Sequence, residues 1–259
     1  MNARVWFVLE EDVTSQALLA QYEELLSPAE RAAERRFVFE VDRRRHRVTR
    51  ALVRTALSEQ IPSVAPADWS FLASPHGRPE IHPEHGLPWL RFNVSHTAGA
   101  IVLAVMRGSA VGIDVENRSR SSATTEIASQ FFSPAEVMAL HAVPALAQRD
   151  RFFTLWTLKE AYIKARGLGL TLPLDSFSFA LAGDAIELHC APACNDDPGR
   201  WAFAVYALTP SHTMALAVER AKDGAGAESL DVELMRSVPL VRTTKVDDLP
   251  ILAMRAPPR

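Results

Sequence analysis

The sequence predicts an α+β fold made of two related halves, each a long helix packed on a small antiparallel sheet, with a C-terminal extension beyond them. Three observations carry this expectation. The tetrapeptide Ser-Pro-Ala-Glu stands at 27–30 and again at 133–136. Each copy reads as a helix start, with Ser as N-cap, Pro at the first helical position and Glu returning to the cap. At the same offset of 106 residues the helical stretch 45–56 falls on 151–162, and Trp69-Ser70-Phe71-Leu72 falls near Ser176-Phe177-Ser178-Phe179. Ser95-His96-Thr97, ahead of the apolar run 100–105, is echoed by Ser211-His212-Thr213 ahead of 215–218. Echoes that recur in one order favour two related halves.

The elements follow along the chain. Val5-Trp6-Phe7-Val8-Leu9 is a short apolar run and gives a strand near 4–9. Apolar residues at helical spacing give helices near 14–26, 28–39 and 42–59. Strands near 69–73, 90–95 and 100–106 complete the first half, residues 1–110. The second half, 111–221, opens with the β-branched strand Val111-Gly112-Ile113-Asp114-Val115-Glu116. Helices near 124–131, 134–142 and 148–166 follow, the last stopped by Gly167-Leu168-Gly169. Strands near 176–181, 186–189, 201–208 and 213–219 end it. After Arg220, Lys222-Asp223-Gly224-Ala225-Gly226-Ala227 reads as a linker, and 228–259 mixes short apolar runs with Pro239, Pro250, Pro257 and Pro258. Whether that tail docks on the body is left open by the sequence.

Composition narrows the function. With 48% hydrophobic residues the chain has the material for a proper core. A net charge of −3 does not favour a general affinity for nucleic acid. The two cysteines, Cys190 and Cys194, make no disulfide framework, and with His189 and His212 they lack zinc-ligand spacing. They read as an incidental pair in a reducing compartment. The first apolar run meets Glu10-Glu11-Asp12 at once, unlike a signal peptide, and no apolar stretch nears the ~20 residues that span a bilayer. A cytoplasmic protein is expected.

Asp114 and Glu116 are two apart in a strand, so both carboxylates point the same way. Such a pair suits Mg²⁺, a hard ion that takes one or two carboxylates together with phosphate oxygens. Surface carboxylates are abundant, and what favours the metal is a third one on the 148–166 helix. There Trp156, Glu160 and Lys164, spaced by four, share a face. His96 ends the apolar strand 90–94 and would open towards the cleft between halves. The stretch from Arg31 to Arg54 is dense in arginine, which fits a solvated face, or a pocket for terminal phosphates that guanidinium forks suit. Gly77-Arg78-Pro79 lies in a loop with His76, His82 and His85, without regular ligand spacing. No phosphate-cradling Gly-x-x-x-x-Gly-Lys loop and no serine nucleophile elbow is present.

In their order, Phe92-Asn93-Val94-Ser95-His96-Thr97, Gly112-Ile113-Asp114-x-Glu116 and Trp156-x-x-Lys159-Glu160-x-x-x-Lys164 resemble the Sfp-type 4′-phosphopantetheinyl transferases, over roughly residues 1–220. Phe131-Phe132-Ser133-Pro134-x-Glu136 and Leu172-Pro173-Leu174-Asp175-Ser176-Phe177 look like that family too. The resemblance implies the 4′-phosphopantetheinyl transferase fold, with coenzyme A in the cleft between the halves. It implies that Asp114, Glu116 and Glu160 hold Mg²⁺ and that Glu160 takes the proton of the attacking hydroxyl. It assigns Lys159, Lys164 and His96 to the cofactor phosphates and Ser95 to cofactor binding, with His96 and Lys164 catalytic contacts and His96 not the general base. Arg45 and His46 fall to the 3′-phosphate, and Arg78 and Pro79 lie against the nucleotide. Positions 30 and 33, often lysines in relatives, are Glu30 and Ala33 here, with Arg31 beside them.

The implied reaction moves the 4′-phosphopantetheine group from coenzyme A to a serine of an apo acyl or peptidyl carrier protein and releases 3′,5′-ADP. The implied enzyme is a monomer without nucleic-acid or membrane partners, and the carrier would dock near 117–135. Two other classes stay open. One is a Mg²⁺-dependent hydrolase that gives the same pyrophosphate to water, and the other is a non-catalytic carrier-binding module.

Overall fold

The computed structural model describes residues 1–119, 124–183, 185–220 and 229–254. The expected linker 222–227, residues 120–123 of the expected docking segment, and Pro257 and Pro258 lie outside the described residues.

In chain order, the first half comprises β1 (Asn2–Leu9), α1 (Gln16–Leu25), α2 (Pro28–Glu34), α3 (Glu40–Gln60), β2 (Phe71–Ala73), β3 (Pro79–Ile81), β4 (Leu90–Thr97) and β5 (Ala100–Arg107). The second comprises β6 (Val111–Asn117), α4 (Thr124–Phe131), α5 (Pro134–Ala142), α6 (Ala145–Arg166), β7 (Phe177–Ala182), β8 (Ala185–Cys190), β9 (Trp201–Thr209) and β10 (His212–Glu219). The tail adds β11 (Asp231–Val238), β12 (Arg242–Val246) and β13 (Ile251–Met254). Two sheets form, in the orders β12–β11–β1–β5–β4 and β6–β10–β9–β13–β8–β7, with β2–β3 a separate ribbon.

Both sheets are apolar on both faces, and this stacks the chain as helices, sheet, sheet, helices. Strand alternation shows it residue by residue. In β1, Trp6 and Val8 join the core under α1 and α3, while Val5 and Phe7 join a second core shared with β6, β9 and β10. On the far side, Phe203, Val205, Ala215 and Ala217 meet α4, α5 and α6 in a third core.

Both Ser-Pro-Ala-Glu copies form the expected capping boxes, at Ser27/Glu30 and Ser133/Glu136. Two expectations are corrected, and a question that the sequence left open is answered. The helix placed at 28–39 ends at Glu34, where the amide N–H groups of Arg36 and Phe37 close tight turns onto Ala33 and Glu34. The sheets are not wholly antiparallel, because β11 runs parallel to β1 and pairs Asn2 with Asp231 through Phe7 with Arg236. The tail, whose docking the sequence left open, joins both sheets: β11 and β12 extend the first, and β13 lies between β9 and β8 in the second.

The contact that positions the site lies between β6 and α6. A Cβ built on Gly112 would lie 2.1 Å from the Ala161 carbonyl oxygen and 2.3 Å from the Ala165 nitrogen. These are helix backbone atoms and cannot swing aside. The cost of overpacking is typically 1–3 kcal/mol, and at this rigid contact we expect Gly112→Ala to lose about 3 kcal/mol or more. Urea unfolding measures it, and a midpoint equal to that of the wild type would contradict the contact.

Candidate active site

The edges of the two sheets meet where β4 passes β6. Asn93 sits in the buried run of β4, where an amide must find a partner. Its Oδ1 accepts the amide N–H of Ile113 at 2.9 Å, which ties one half to the other. Two residues on, the Ser95 hydroxyl donates to Asp114 Oδ1 at 2.8 Å. Lys164, from α6, donates to the same Oδ1 at 2.6 Å and to Ser95 Oγ at 2.8 Å. Serine, aspartate and lysine from three elements thus form one cluster, in which Ser95 and Asp114 are buried and Lys164 is half-buried.

The second carboxylate oxygen of Asp114 is buried without a hydrogen-bond partner. Glu160 is half-buried one helical turn before Lys164. Burial, and then the negative charge of Asp114, push its pKa above the usual carboxylate range, against the pull of Lys164. Glu116 lies half-buried on the Asp114 face of β6. Among the described residues no three His, Cys, Asp or Glu side chains form a ready-made metal cage. An orphaned buried carboxylate oxygen beside a second carboxylate nevertheless fits a hard cation that completes its shell with phosphate and water.

Beside this cluster a cavity of about 270 Å³ opens between the halves, lined by Gly77, Arg78, Pro79, Asn93, Glu160 and Lys164 among others. Arg78 is set by two bonds, to the Lys164 carbonyl at 3.1 Å and to Glu80 at 2.7 Å. His96 is solvent-accessible in a crowded recess. The crowding, then the charges of Arg45 and Lys164, lower its pKa.

Of the residues singled out in the sequence, the structure brings Ser95, Asp114, Lys164, Glu160, Arg78 and Pro79 together, with His96 beside them. Lys159 is elsewhere, which corrects the expectation that it meets phosphate. Its side chain is 0% exposed and pairs with Glu136 at 2.8 Å. It donates to the carbonyls of Leu174 and Phe177, each at 2.7 Å, so its ammonium has no donor left for a ligand. His46 is also turned to structure: its Nε2 meets the Glu30 carbonyl at 3.2 Å, its ring packs on Phe37, and burial lowers its pKa. Arg45 is engaged by Glu10 at 2.6 Å and Asp42 at 3.0 Å, so a phosphate there would compete with two carboxylates.

The sequence motifs include Asn93, Gly112 and Glu136, but sequence reading gave the first two no structural role and Glu136 only that of a helix cap. A polar amide inside an apolar strand and a glycine inside a strand were the available signals for the first two.

The Lys159 correction carries its own test. Removing one partner of a buried pair leaves the other charge stranded, at a cost of about 3–5 kcal/mol. Lys159→Met is therefore expected to lower stability by that amount in chemical denaturation. Unchanged stability with weakened ligand binding would instead restore a phosphate role for Lys159.

Comparison with known proteins agrees over both halves. Residues 110–217 match the model of the 4′-phosphopantetheinyl transferase superfamily, and residues 13–107 match that of the 4′-phosphopantetheinyl transferase N-terminal region. The 4′-phosphopantetheinyl transferase Sfp of Bacillus subtilis strain 168 is 33% identical over 216 residues, which span 82% of this chain and 91% of the relative. A 4′-phosphopantetheinyl transferase of Bacillus subtilis is 40% identical over 166 residues, 63% of this chain and 71% of the relative. The transferase ffp of the same species is 35% identical over 200 residues, 75% of this chain and 83% of the relative. With an Sfp-type relative matched along nine-tenths of its length, the chain belongs to the 4′-phosphopantetheinyl transferase superfamily, a family of transferase enzymes.

Proposed function

We propose that this transferase moves the 4′-phosphopantetheine group from coenzyme A to a serine hydroxyl of an apo acyl or peptidyl carrier protein and releases 3′,5′-ADP. The observation that carries the reading is the convergence of Asp114, Glu160, Lys164 and Ser95 beside an inter-half cavity that Glu160 and Lys164 line, with His96 nearby.

The serine oxygen attacks the β-phosphorus of the pyrophosphate, and the bond to the 3′,5′-ADP oxygen breaks. Phosphoryl transfer asks mainly for positioning and charge neutralisation. Lys164 supplies a fixed positive charge, held in place by Asp114 and Ser95. His96, exposed near Lys164, offers a ring N–H as a hydrogen-bond donor to a phosphate oxygen. Glu160 takes the serine proton, from a half-buried position one helical turn before Lys164. Asp114, Glu116 and Glu160 are the residues that would hold Mg²⁺, which when bound neutralises charge on the pyrophosphate oxygens. Arg78 and Pro79 line the cavity where the nucleotide would lie.

Mass spectrometry of an apo carrier protein incubated with the enzyme, coenzyme A and Mg²⁺ tests the reading. The expected result is a gain of one phosphopantetheine group on the carrier. Appearance of 3′,5′-ADP with an unmodified carrier would mean hydrolysis instead.

Glu160 generates a pH prediction with two readouts. As the base it must be ionised, so transfer falls on an acid limb as pH drops and Glu160 takes up a proton. Glu160→Gln removes that limb and lowers the single-turnover rate by ~10² or more. Because folding raises the pKa, the stability Glu160 contributes is present below its unfolded pKa and is lost as pH rises through the folded value. At neutral pH Glu160→Gln should therefore match or exceed the wild type in thermal unfolding. A variant that keeps its rate and its acid limb would remove Glu160 from proton transfer.

A further inference from the structure

The two cysteines take no part in the proposed reaction, yet the fold brings them into contact. Cys190 ends β8, and Cys194 ends the short turn Pro192–Cys194. Both are free thiols, and their sulfurs lie 3.4 Å apart. A disulfide bond is about 2.0 Å long, so closure needs a shift of only about 1.4 Å. The two sulfurs differ in access. Cys190 is half-buried at the rim of an open recess of about 530 Å³ that Asp196 and Arg200 also line, and Cys194 is buried beneath it.

Both sulfurs also touch α6. The Tyr162 hydroxyl lies 3.9 Å from Cys190 Sγ and 3.6 Å from Cys194 Sγ. Arg166 reaches the Cys194 carbonyl oxygen at 3.4 Å and its sulfur at 3.7 Å. The pair therefore rests on the C-terminal turns of the helix that carries Glu160 and Lys164.

We propose that Cys190 and Cys194 are a redox-modification site, at which a small disulfide such as glutathione disulfide converts the two thiols into an intramolecular disulfide. The Cys190 thiolate attacks one sulfur of the oxidant and expels one glutathione. The Cys194 thiolate then attacks Cys190 Sγ and expels the second. The protein loses two electrons and two protons, and the oxidant becomes two glutathione thiols. Burial and the neighbouring Cys194 thiol push Cys190 up to about 12, so the reduced pair reacts slowly at neutral pH and faster as pH rises.

The test treats the native full chain with glutathione disulfide in mildly alkaline buffer and reads the intact mass. The wild type is expected to lose the mass of two hydrogens, to carry no glutathione, and to recover fully with dithiothreitol. Cys194→Ser is expected to stop with one glutathione attached at Cys190, because the resolving thiol is gone. A wild-type chain that stays reduced, that retains a glutathione adduct, or that links to a second chain through a disulfide overturns the proposal. These readouts do not depend on the transferase reaction.

Discussion

The candidate site rests on the close approach of one helix backbone to one strand. At Gly112 α6 lies on β6 with room for a hydrogen and no more. Ala161 and Ala165 fill that contact, and the residues that precede each of them, Glu160 and Lys164, are thereby fixed beside Asp114. The other side of the seam is fixed by Asn93, whose amide oxygen holds the Ile113 N–H and so aligns β4 with β6. Ser95 and Asp114 then stand within hydrogen-bond distance without further adjustment. Rigid elements carry every member of the cluster, and a reaction that depends on positioning needs this.

One arrangement recurs in both halves, with a single asymmetry. In each half the capping-box glutamate is buried against a cation of the long helix: Glu30 with Arg54 at 2.7 Å, Glu136 with Lys159 at 2.8 Å. Each cation also donates to nearby backbone carbonyls, Arg54 to Pro66 and Trp69, and Lys159 to Leu174 and Phe177. Each lies over an aromatic ring, Phe71 at 5.3 Å and Phe177 at 4.3 Å, and these two rings are 106 residues apart in the chain. The position 106 residues after Arg54 is Glu160. In the second half the buried cation has moved one residue earlier, and a carboxylate faces the cleft in its place.

Much of the architecture was legible because its signals are local. The two capping boxes, the helical periodicity of α3 and α6, and the apolar runs of β1, β5, β9 and β10 each mark an element without reference to the rest of the chain. The tail strands were hidden because their runs are short, because Pro250 interrupts them, and because their pairing depends on sheets formed by residues far away in sequence. At the site, the spacing of Asp114 with Glu116 and of Glu160 with Lys164 was readable from strand and helix periods. Lys159 misled because adjacent helix positions face different ways, and only burial shows which face is inside. The repeat carried the missing signal: Lys159 follows the second capping box much as Arg54 follows the first.

The central claim is that the buried carboxylate of Asp114 organises the reacting cluster at the seam and is not merely a packing group. The most direct measurement is single-turnover transfer from coenzyme A to an apo carrier protein by Asp114→Asn, with circular dichroism and thermal unfolding alongside. This substitution keeps the shape of the side chain and an oxygen for Ser95 and Lys164 but removes the charge. The predicted result is a folded protein that no longer transfers the group. A folded Asp114→Asn variant that transfers at a near-wild-type rate would contradict the claim.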